Sequence, residues 1–67
     1  MREFIEYVCL LLDSNANFDE LENHLSMNGY YFGIDKKRCL LFVYIEEVDY
    51  VETILEDRNI TYNEVVY

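Results

Sequence analysis

Cys39-Leu40-Leu41-Phe42-Val43-Tyr44-Ile45 is the longest uncharged apolar run of the chain, and its reading decides the fold. It is entered from Asp35-Lys36-Lys37-Arg38 and left at Glu46-Glu47. A short run of branched and aromatic side chains with charge at both ends reads as a central strand buried on both faces. Thirty positions earlier the same pattern starts: Cys9-Leu10-Leu11 echoes Cys39-Leu40-Leu41, and Asp19, Glu22 and Leu25 echo Asp49, Glu52 and Leu55. Phe18 with Val48, Leu21 with Val51 and Gly29 with Asn59 are softer matches in the same frame.

Working outward, residues 3–12 fit a helical wheel as well as a strand, because Phe4, Ile5, Val8, Cys9, Leu11 and Leu12 share one side of it. The echo decides for a strand. Asn17 then caps a helix, with Glu20 three residues on as the reciprocal half of a capping box. Phe18, Leu21 and Leu25 form its buried stripe, and Asp19, Glu22 and Ser26 face water. Asn28-Gly29 ends it, with glycine in the left-handed position. A short strand over residues 30–34 turns back into the central run. Residues 48–58 repeat the helix, with Val48, Val51 and Leu55 inward and Asp49, Glu52 and Glu56 outward; residues 60–67 form the last strand. The expected fold is α+β, one compact domain over residues 1–67 with the ferredoxin-like order βαββαβ. Its four-stranded antiparallel sheet has the order 4-1-3-2, with two helices on one face.

The charge balance bounds the function. Fourteen acids oppose five bases, for a net charge of −9. Arg2, Lys36, Lys37, Arg38 and Arg58 are the bases, so residues 3–34 carry acids alone. Such a field repels nucleic acid and anionic membrane and attracts basic surfaces. No run approaches the length of a membrane span, and the Met1 start lacks the marks of a signal peptide, so a cytoplasmic location is expected. Cys9 and Cys39 read as reduced core residues, although sequence alone does not place the two sulfurs.

Chemistry-bearing patterns are missing. His24 is the one histidine, no serine or cysteine has a base partner, and there is no phosphate loop or calcium-loop spacing. The chain is expected to be no enzyme and to hold neither cofactor nor metal. The topology invites comparison with the RNA-recognition motif, but only Arg38, Phe42 and Val43 fit its third strand. The glycines are missing, and the charge has the wrong sign for phosphate.

Two features remain. Seven tyrosines fall mostly on strands, and an apolar, tyrosine-rich open sheet face meets a partner or a second copy. Tyr7 and Tyr44, on the central strands, are its expected members. The second feature is the acidic helix face, where carboxylates three and four apart lie about 5–6 Å from each other and can imitate a row of phosphates. Asp19, Glu22, Asp49, Glu52 and Glu56 are the residues expected there. In build and charge the chain resembles the small acidic inhibitors that phages use against host nucleic-acid enzymes, including anti-CRISPR proteins. That resemblance implies a nucleic-acid mimic that occupies a basic surface on a nucleic-acid-binding protein or nuclease complex, with no direct contact to nucleic acid. The alternative is an interaction module that homodimerises through the tyrosine face.

Overall fold

The computed structural model describes residues 6–66. Its elements run β1 (Tyr7–Leu12), α1 (Phe18–Met27), β2 (Phe32–Asp35), β3 (Leu40–Tyr44), a 3-10 turn (Ile45–Glu47), α2 (Val48–Asp57) and β4 (Tyr62–Val65). The ambiguous N-terminal segment is a strand from Tyr7 onward; residues 3–5 lie outside the described residues, as does Tyr67. The four strands form one antiparallel sheet in the order β2-β3-β1-β4, which read from the β4 edge is the expected 4-1-3-2. The two most apolar runs hold its centre, where each strand has a neighbour on both sides and every ladder group finds a partner.

Alternation along the strands sorts the side chains between two faces. Leu10 opposes Leu41, Val8 opposes Val43 and Leu12 opposes Tyr62 on one of them. Leu21 and Leu25 of α1 and Val51 and Leu55 of α2 join Leu10, Leu12, Leu41 and Val43 in a single buried cluster, so both helices cover this face. Phe18 and Val48 pack at its margin. The other face carries Tyr7, Cys9, Leu11, Leu40, Phe42, Tyr44 and Val65.

Both helices start and stop for reasons written in the chain. The Asn17 side chain accepts the Glu20 N–H at 3.1 Å, which caps α1. The reciprocal half of the expected capping box is not made, because the Glu20 carboxylate turns to Arg58 instead. Gly29 at φ 75° lets its own N–H reach the Ser26 carbonyl and the Tyr30 N–H reach the Leu25 carbonyl. Asn59 at φ 58° does the same for α2, where Asn59 and Ile60 donate to Glu56 and Leu55. These are two Schellman ends, each sealed by an apolar residue just beyond the cap, Tyr30 or Ile60.

Four expected boundaries move. The last strand, expected from residue 60, begins at Tyr62, because Ile60 completes the end of α2. Residues 30 and 31 precede β2, because Tyr30 completes the end of α1 and packs on the core. Cys39, at φ 60°, belongs to the turn between β2 and β3, so the central strand begins at Leu40. Ile45 leaves the strand for the 3-10 turn that starts α2. Both cysteines are free thiols, Cys9 buried in β1 and Cys39 half-buried in the turn.

Candidate partner-binding surfaces

The acidic surface is built from both helices, yet the two contribute unequally. On α1, Asp19 and Glu22 share the Lys36 ammonium, which bonds to Asp19 and lies 3.6 Å from Glu22. Lys36 follows β2, and α1 packs against β2, so the fold returns to α1 a cation that its own sequence lacks. These two carboxylates raise the Lys36 pKa, Asp19 chiefly through its hydrogen bond. Glu20 is held in a fork by Arg58, whose Nε and Nη2 donate at 2.9 and 3.0 Å. That hydrogen-bonded pair keeps the Glu20 carboxyl below the usual range and ties the first turn of α1 to the end of α2. Arg38 is likewise engaged, 3.1 Å from Asp35. The Asp35 carboxyl also accepts the backbone N–H groups of Lys37 and Arg38, and the Arg38 N–H is the main cause of its lowered pKa.

Around α2 the carboxylates crowd one another. Glu52 was expected to face water, but it is half-buried. Its position one turn from Asp49 and Glu56 also brings it toward β4, where Glu64 lies on the helix-bearing face of the sheet. Burial pushes the Glu52 carboxyl up first, and the charges of Asp49, Glu56 and Glu64 push it further. Glu56 accepts the Tyr62 hydroxyl at 2.6 Å, and that bond drives the phenol up to about 12. Glu64 was missed in the sequence. The signal for it was the alternation that places Glu64 with Tyr62, which becomes readable only once the register of β4 on β1 is known.

The tyrosines divide. Tyr7 and Tyr44 are opposed across β1 and β3 on the open face, and Tyr31 meets Tyr44 edge-on with ring centres 6.3 Å apart. Tyr30 packs against the core and Tyr62 points to the helices, so these two leave the expected tyrosine face. Tyr50 is exposed on α2. His24 is half-buried on α1.

A polar cleft lies between residues 13–17 and 58–60; of the three ionic residues in its wall, Glu20 and Arg58 satisfy each other and Asp13 accepts the Asn15 N–H. Among the described residues no group of three His, Cys, Asp or Glu side chains is placed to hold a metal ion, and no helix is long and apolar enough to cross a membrane. No protein-family model, curated protein or solved structure matches the chain.

Proposed function

We propose that this chain is a non-enzymatic inhibitor that seats an acidic helix face on the basic, nucleic-acid-binding surface of a target protein, in the manner of phage anti-CRISPR inhibitors. The observation that carries this reading is the asymmetry of charge. Lys36, Arg38 and Arg58 are committed to acids of α1 and to Asp35 at the end of β2, while Glu52 lies among the like charges of Asp49, Glu56 and Glu64. Lysine and arginine side chains of a target relieve that repulsion, and nucleic acid loses the same cations, so inhibition is competitive. We read the scaffold as ferredoxin-like, which the strand order and the placement of both helices on one face support.

The test is capture from a bacterial lysate on the immobilised chain at low salt, followed by competition with labelled duplex DNA and RNA. Retained proteins are expected to bind nucleic acid, to release it when the chain is added, and to elute as salt rises. Asp49→Lys with Glu56→Lys should abolish retention. The paired reversal Asp19→Lys with Glu22→Lys should matter less, since Lys36 already offsets those two acids. Retention that ignores both salt and the α2 reversal would sink the mimic.

A further inference from the structure

We infer that the outer edge of β4 adds a strand from the target, an extended segment with lysine or arginine at every second position. This rests on the reading of the α2 face as the binding surface, and it specifies what that surface holds. β4 ends the strand order, so one of its sides has no neighbouring strand. The register shows which backbone groups are spare there. Asp13 donates to the Thr61 carbonyl, and the pairs Leu11 with Asn63 and Cys9 with Val65 continue that bonded phase two residues at a time. Leu12 donates the other way, to Cys39 at the head of β3, which agrees with that phase. Tyr62 and Glu64 therefore each turn an N–H and a C=O to the outer edge, where an added strand can pair with them. β4 holds neither proline nor lysine to guard that edge, and Asn63 and Glu64 are exposed.

Charge decides the occupant. Directly opposed residues of a strand pair share a face, about 4.5–5.5 Å apart, so residues added opposite Tyr62 and Glu64 send their side chains to the helix-bearing face. There Glu64 acts on Glu52, which has Asp49 and Glu56 one turn away on α2. Among the described residues no salt bridge supplies these four acids with a cation. A cation opposite Glu64 meets that carboxylate with Glu52 behind it. A second cation, two residues along, lies beside Tyr62 and the Glu56 carboxylate that accepts its hydroxyl. The residue between them falls on the other face next to Asn63, where a small uncharged side chain fits. A second copy is rejected by the same chemistry, because its β4 edge would bring its own Glu64 and α2 acids against these. The opposite edge, β2, makes no such demand, since Asp19 and Glu22 beside it already hold Lys36. All pairs in the sheet are antiparallel. An added strand that continues this pattern exchanges backbone bonds with Tyr62 and Glu64 through its two cationic residues.

Amide NMR of the full chain at low salt, titrated with the blocked peptide acetyl-Thr-Lys-Thr-Lys-Thr-amide, tests this without a target in hand. Two further forms of the peptide carry the same charge, one N-methylated at both lysines and the other at the threonine before each lysine. The threonine-methylated form keeps every edge bond. It is expected to shift the Tyr62 and Glu64 amides, to slow their hydrogen exchange, and to bind about tenfold more tightly than the lysine-methylated form, which loses half of those bonds. Glu64→Lys should weaken binding of the unmodified peptide by about tenfold or more, because like charges then meet across the pair. The same reversal at Glu22, beside Lys36, should weaken it far less. Circular dichroism of both variants checks that each is folded. Equal binding by the two methylated forms, or binding that leaves the Tyr62 and Glu64 amides unprotected, overturns the added strand while the acidic face still stands as a binding surface. No binding of the unmodified peptide at millimolar concentration overturns it as well, whereas the acidic-face reading stands or falls by lysate capture.

Discussion

Single side chains in this molecule report their surroundings through titration. Glu52 takes up a proton more readily in the folded chain than in the unfolded one, because burial and three neighbouring acids disfavour its charge. A carboxyl with a raised folded pKa contributes stability that is complete below its unfolded value and lost as pH rises through the folded one. Glu52→Gln should therefore raise the melting temperature at neutral pH and change it little at about pH 3, where the native carboxyl is already protonated. Thermal melts at the two pH values check this. Tyr62 behaves alike at the alkaline end. Its hydrogen bond to Glu56 stabilises the fold in full below the ordinary tyrosine value of about 10 and is lost as pH rises through about 12. Spectrophotometric titration should show a late-ionising phenol that Tyr62→Phe removes. Asn17→Ala should cost about 1 kcal/mol in denaturant unfolding, through the lost cap on α1.

The elements show how far the thirty-residue echo can be trusted. On the buried stripes of the helices it holds residue by residue: Leu21 and Val51, and Leu25 and Leu55, are all fully buried, whereas Glu22 is exposed and Glu52 half-buried. Truncating Leu25 or Leu55 to alanine should cost about 2–5 kcal/mol by denaturant unfolding, from lost burial and a residual cavity. The left-handed ends were legible too, since Gly29 and Asn59 are the two residue types that reach that backbone region most easily. In the strands the echo holds for the element and fails for the face. Leu10 lies in the core while its counterpart Leu40 lies on the opposite side of the sheet, and Leu41 and Leu11 are exchanged in the same way. The period of a strand is two, so a one-residue difference in where a strand begins reverses every side chain. Here β1 begins at Tyr7 but β3 waits until Leu40, because Cys39 is spent in the turn. The acidic surface was legible as composition and helical spacing. The pairing of Lys36 with Asp19, and of Arg58 with Glu20, was not, since each joins elements far apart in sequence.

At the scale of the molecule, acidity opposes folding as well as guiding association. Adding salt at neutral pH should raise the melting temperature by screening self-repulsion, and the gain should shrink at about pH 4, where many carboxylates are protonated. Calorimetry across ionic strengths measures both. The carboxylates of α2 and the apolar strand residues lie on opposite sides of one sheet, so engaging either side leaves the other accessible.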